Sequence, residues 1–185
     1  MVIRPSQFNL YLLLLITVWT GAGCKTSEPD PDKQTATLRI HLETNPLHER
    51  SEQILVLRSA PIRINIESNP FLSEAHLTSA RLVEMPDGYA LAIQFNQQGQ
   101  RLLEQYSAGN SRRRFAIRTQ FRQSTNVFDR WIAAPLIAGR IADGIITFTP
   151  DADRAESETI VRGWNNTAGY KPKAGETKPK FSEVP

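Results

Sequence analysis

The side chains able to do chemistry are few: one cysteine (Cys24), three histidines (His41, His48 and His76), and carboxylates in close pairs such as Asp151 with Asp153 and Glu156 with Glu158. A catalytic thiol needs a base beside it. Cys24 instead follows Gly21-Ala22-Gly23, a small-residue stretch that suits processing and acylation and leaves no thiol for catalysis. The histidines fall on a predicted strand, in a loop and near a turn, without metal-ligand spacing. His41 and Glu43 share a strand face, but two ligands without a third leave no closed site, so solvated or core-edge roles are expected. Acids two apart on a helix point to different faces and read as solvated partners of the helix dipole. No G-x-S-x-G elbow and no glycine-rich phosphate loop is present. The expectation is a non-enzyme with no catalytic residue, no metal and no cofactor.

Cys24 belongs to a longer pattern. Arg4 supplies a positive start, residues 10–19 (LYLLLLITVW) an apolar run, and residues 21–24 the small-residue site. A spanning helix needs about 20 apolar residues, so this run fits a removable export signal better than a permanent span. The segment resembles the lipobox of bacterial lipoproteins, with Gly21 where leucine is usual. The resemblance implies that residues 1–23 are a lipoprotein signal peptide and that Cys24 is the lipid attachment site, carrying palmitate-like acyl chains. The alternative is an ordinary secretory signal followed by a free thiol. A lone cysteine has no disulfide partner in an oxidising compartment, whereas each buried methylene of an acyl chain adds about 0.8 kcal/mol of membrane affinity. The implied location is the bacterial cell envelope, lipid-anchored and facing the periplasm. Lys25 stands where aspartate would signal inner-membrane retention, which favours the outer membrane.

Residues 24–35, polar and proline-bearing, read as the lipidated cysteine and a flexible tether. Residues 169–185, with four lysines and little to bury, read as a disordered basic tail. The domain between them, residues 36–168, is of ordinary single-domain size. With 22 Lys and Arg against 19 Asp and Glu, the small surplus of bases does not by itself argue for nucleic acid, which would demand a concentrated basic face, and no nucleic-acid partner is expected.

Within the domain, residues 37–43 alternate, with Leu38, Ile40 and Leu42 on one face. Residues 53–58 and 62–66 repeat the pattern around Pro61, as two short strands or one bent strand. A turn or one-turn helix is expected at 72–77, and a hairpin from 79–84 and 89–95 around Pro86-Asp87-Gly88. Gly99, Leu102, Leu103 and Tyr106 have helical spacing, with a stop at Gly109-Asn110. Residues 114–121 return to period 2. An extended segment with Pro135 and a turn at Asp143-Gly144 leads to a last strand at 145–148. Thr149-Pro150-Asp151 reads as a helix start, and Ser157, Ile160, Val161 and Trp164 line that helix. The fold class is α+β, a mainly antiparallel sheet with two helices packed on one face.

From residue 95 to 163 the order of features resembles the head subdomain in the periplasmic region of the SecD and SecDF protein-export subunits. The motifs are Phe95-Asn96-Gln97-Gln98-Gly99 opening the first helix, Ala134-Pro135-Leu136-Ile137, the glycines 139 and 144, and a last helix over 149–163. Asp129 is followed by Arg130 where the family usually has Asp-Gly. The resemblance implies a ferredoxin-like, SecDF-head-like domain detached from the family's membrane helices. It further implies a polypeptide-binding role without chemistry, accessory to protein export, with exported polypeptides or translocase components as partners.

Arg112-Arg113-Arg114, followed by Arg118, is the densest charge feature, and Trp131 is a candidate interface anchor. These five residues form the candidate binding surface, although consecutive strand residues alternate faces and so split the triplet. Trp164, on the apolar helical stripe, is expected in the core. The competing reading is a periplasm-facing binding module for a small molecule or an anionic ligand. Because Cys24 precedes the tether, Cys24→Ala is expected to release the protein from membranes and leave its thermal unfolding unchanged; retention after a high-salt wash of the fractionated membranes would rule out the lipid anchor.

Overall fold

Thr37 to Leu42 opens the core: Leu38, Ile40 and Leu42 are buried on one face of β1 (Arg39–Leu42). A computed structural model describes residues 33–123 and 125–170. The signal segment, Cys24, most of the tether and residues 171–185 lie outside the described residues. The remaining elements are β2 (Ser51–Val56), β3 (Ile62–Glu67), β4 (Leu72–Ser73), a single 3-10 turn (Glu74–His76), β5 (Leu77–Met85), β6 (Gly88–Phe95), α1 (Gln97–Gly109), β7 (Phe115–Gln123), β8 (Asn126–Ala133), β9 (Ile145–Phe148) and α2 (Arg154–Ala168).

The fold is α+β and every strand pair is antiparallel. The strands divide into three sheets: four strands in the order β4-β1-β7-β8, the β2–β3 hairpin, and three strands in the order β5-β6-β9. The segment around Pro61 is thus two strands, joined by a turn in which Leu57 has a positive φ of 70°. Strand β8 carries no alternation in its sequence, NVFDRWIA, although Val, Phe, Trp and Ile are good strand formers.

Both faces of the four-stranded sheet are covered in part. On one, α2 lies against β5, β6 and β7, and Leu38, Ile40, Phe115, Ile117 and Phe121 join Ile160 and Trp164 in the main core. On the other, the β2–β3 hairpin buries Ile54, Val56, Ile64 and Ile66 against Ala116, Ala134 and Trp131. His41 and its partner across the ladder, Ala116, are buried on this hairpin side of the sheet.

Helix α1 starts at Asn96, whose side chain accepts the Gly99 N–H at 2.9 Å. Gly99 follows Phe95 by four because a Cβ there would lie 2.9 Å from Phe95 Cβ and from His76 Cβ. The start of α2 differs from the sequence expectation. Its cap is Asp153, which accepts the Glu156 N–H at 2.8 Å. Thr149 and Pro150 lie upstream because Asp151 is drawn across β8, its N–H donating to Ile132 O at 2.7 Å. The helix also runs past Gly163 to Ala168 and closes on Gly169 in the left-handed conformation.

Gly163 sits inside the helix because the incoming chain crosses it there: a Cβ would meet Ala36 Cβ at 2.7 Å and Ala36 N at 3.0 Å. Alanine is the better helix former by about 1 kcal/mol, but the crowded atoms include backbone. Gly163→Ala is therefore expected to destabilise the domain by roughly 1–3 kcal/mol, read as a lower urea midpoint at unchanged slope. A raised midpoint would refute this close crossing.

Candidate functional site

A shallow concavity of about 390 Å³ lies where the β2–β3 turn meets β8, lined by Leu55, Leu57, Arg58, Pro61, Asp129, Arg130, Trp131 and Asp151. Each lining residue is placed by the strand it sits on. Leu55 alternates with Ile54 and Val56, so when they turn to the core it turns outward and is 57% exposed. Arg130 faces Thr119 across the ladder on the helix side, whereas Trp131 pairs with Arg118 on the hairpin side.

Arg130 and Arg58 converge with Asp151 and Glu156. Arg130 forms an ion pair with Glu156 and donates to Asp151 O at 2.7 Å. Arg58 donates its backbone N–H to the Asp151 carboxylate at 2.8 Å and its guanidinium to Asp151 O at 3.0 Å. The cluster fastens the hairpin turn, β8 and the start of α2 together. Glu156 is correspondingly buried, against the expectation of a solvated dipole partner, because Arg130 reaches it from beneath the sheet.

Of the five residues singled out in the sequence, the fold brings two together. Arg118 donates both arms to Asp129, at 2.7 and 2.9 Å, and its guanidinium lies 5.6 Å from the centre of the Trp131 ring. The hydrogen bonds to Asp129 hold Arg118 above its ordinary pKa. Trp131 also meets the His41 ring edge-on at 5.1 Å. His41 Nδ1–H donates to Glu67 O, 2.8 Å away, and burial pushes its pKa below the usual histidine value. Arg112, Arg113 and Arg114 stand at the other end, before β7. The first two are exposed, and Arg114 is half-buried: its N–H is accepted by Glu43 and its guanidinium donates to Ala134 O.

The edge of β8 completes the site. β8 is the last strand of its sheet. Its C-terminal half is covered by the Arg58 turn and by Asp151, but at Asn126 to Asp129 the side chains are exposed, with Val127 at 54% and Phe128 at 37%. The sequence carried no signal for Arg58, Arg130, Asp151 and Glu156 as a group, since they come from three distant segments. Among the described residues no set of three or more His, Cys, Asp or Glu is placed to hold a metal ion, and no helix is long and apolar enough to cross a membrane.

No protein-family model and no curated protein matches the chain. Solved structures do. A structure of SecDF, described as a membrane component that enhances protein export, matches at a TM-score of 0.50 with 15% identity, over 97% of this chain and 77% of that one. SecDF in a super-membrane-facing form matches at 0.45 with 14% identity, over 86% of this chain and 32% of that one. SecDF from Thermus thermophilus, described as a translocon-associated membrane protein, matches at 0.39 with 13% identity, over 87% and 33%. The chain therefore spans about a third of the length of the two longer SecDF chains. At 15% identity the first likeness is one of fold, and the fold of this domain is SecDF-like.

The ion cluster can be tested by itself. With side chains 18% and 9% exposed, loss of Glu156 leaves the Arg130 guanidinium poorly compensated, so Glu156→Ala should cost roughly 2–4 kcal/mol in chemical denaturation. The double variant Arg130→Met, Glu156→Leu should recover most of that loss. If the single variant costs less than about 0.5 kcal/mol, the cluster does not fasten the hairpin.

Proposed function

We propose that this protein is an envelope lipoprotein, held on the membrane by acylated Cys24, whose domain binds extended polypeptide without catalysing a reaction and acts beside protein export. The observation that carries this reading is the open edge at Asn126 to Asp129, continuous with the concavity at Trp131. A polypeptide in transit presents unpaired backbone, and an edge strand supplies its complement. The SecDF-like fold supports the same reading, and Lys25 favours the outer membrane.

Magnitudes indicate what such a site can hold. Alternate residues of an edge strand turn their N–H and C=O outward, so four residues offer about four hydrogen bonds at about 1 kcal/mol each. That alone is a millimolar interaction. Seating one apolar side chain between Leu55, Leu57 and Trp131 adds about 2 kcal/mol and brings the affinity to tens of micromolar. The polar groups of the concavity are already engaged with one another, Arg58 and Arg130 with Asp151 and Glu156, and Asp129 with Arg118. They frame an apolar seat, and both arginines there already face carboxylates, which favours an apolar side chain over an anion as the occupant.

A photoreactive residue in place of Val127, in the native envelope, is expected to capture polypeptides in transit, while the same residue in place of Arg112 captures few. A single small molecule at Val127 would instead favour a ligand carrier. Equal capture at the two positions, or none at Val127, would sink the polypeptide-binding reading.

A further inference from the structure

The described chain begins and ends at one end of the domain, and that end carries the open edge. Gln34 donates to Arg122 O at 2.5 Å, and Ala36 bridges to Phe121, so the entering chain lies against the last residues of β7. The end of α2 lies beside it: Asn166 donates to Gln34 O at 2.9 Å and the Thr167 hydroxyl to Ala36 O at 3.0 Å. The chain leaves immediately afterwards, past Gly169 and Tyr170. The turn between Gln123 and Asn126 is at the same end, because β7 runs towards it from Phe115. Arg112 and Arg113, which precede Phe115, are therefore at the far end. Nine strand residues at about 3.3 Å each put roughly 25–30 Å between the two ends.

We infer that the end of the domain formed by Lys33, the β7–β8 turn and Tyr170 faces the surface of an anionic bilayer, so that a polypeptide added along β8 runs from the membrane towards the concavity at Trp131. The inference rests on the proposed Cys24 anchor and deepens the polypeptide-binding reading. Cys24 precedes Lys33 by nine residues, which reach at most about 30 Å when fully extended, so the entry end is confined near the bilayer. The far end has no such restraint. The sequence after Tyr170 has Lys171, Lys173, Lys178 and Lys180 against Glu176 and Glu183, and with Lys25 and Lys33 against Glu28, Asp30 and Asp32 in the entering segment the two flanks together keep a small excess of cations. Arg122, exposed beside the turn, has the same charge. Because β8 runs from Asn126 at this end to Ala133, its open half is the half nearer the membrane and the concavity lies beyond it.

The test uses the full-length lipidated protein on vesicles of phosphatidylethanolamine and phosphatidylglycerol, with a photoreactive residue at Arg122 or, separately, at Arg112. Lipid adducts at Arg122 about tenfold above those at Arg112 are expected. Equal adducts at the two positions, or none at Arg122 on protein that floats with the vesicles, would overturn the orientation; protein that fails to float would overturn the anchor and the orientation together. No polypeptide is present in this experiment, so its result is separable from capture at Val127.

Discussion

The backbone carbonyl of Thr37 is the point on which the domain turns. It accepts the Trp164 indole N–H and the Thr119 hydroxyl, each at 2.8 Å, and so has both lone pairs engaged inside the core. Thr37 also exchanges bonds with Gln120, its N–H donating to Gln120 O and its hydroxyl accepting the Gln120 N–H. One residue thereby ties the entering chain to β7 and to α2. The tie fixes where the chain enters, and the close crossing of Ala36 over Gly163 follows from it. Leaving the Trp164 indole N–H or the Thr119 hydroxyl, both on fully buried side chains, without a partner would cost on the order of 1–3 kcal/mol, so alternative placements of the entering segment are disfavoured.

With the sheet so fixed, the remaining structure can be understood as the covering of its faces and edges. The outer edge of β5 is closed at Ala80 by the Asn165 amide, which accepts the Ala80 N–H at 2.7 Å and donates to Ala80 O at 2.9 Å. The C-terminal half of β8 is closed by Asp151 and the hairpin turn. An exposed strand edge invites unwanted pairing, and at β5 and along the second half of β8 these contacts limit that risk. The apolar side chains at that opening, Val127 and Phe128, are not required by the main core, although Phe128 stacks on Phe121 with ring centres 5.5 Å apart. Apolar side chains that burial does not demand, at an edge strand beside a concavity, fit a binding surface.

Much of this architecture was legible in the sequence because it rests on local periodicity. The alternation over residues 37–43, the spacing from Gly99 to Tyr106 and the apolar stripe ending at Trp164 each report a face turned to the core. The order of motifs from Phe95 onward pointed to the SecDF-like fold. What escaped was set by tertiary contacts. β8 turns Trp131 under the hairpin and Ile132 into the main core while its first four residues are exposed, so no period of two appears in its polarity. The start of α2 is set by Asp151 bonding to β8, which outweighed the local preference for a cap at Thr149. His41 is buried because the β2–β3 hairpin crosses the face it shares with Ala116 and Trp131, and nothing near His41 in the sequence announces that cover. The candidate site was half legible: Arg118 and Trp131 meet, but the Arg58, Arg130, Asp151 and Glu156 cluster assembles from residues up to about a hundred positions apart.

A weak site is the appropriate one for the proposed role. A segment held at tens of micromolar dissociates quickly, since affinity differences reside mainly in the off-rate, and a chain in transit must be released without work. The buried ion cluster suits this arrangement better than an apolar contact would. It fixes the hairpin turn through directed bonds from Arg58 and Arg130 to Asp151 and Glu156, keeping the concavity open beside Trp131, whereas an apolar turn could collapse onto Leu55 and Leu57 and close the seat.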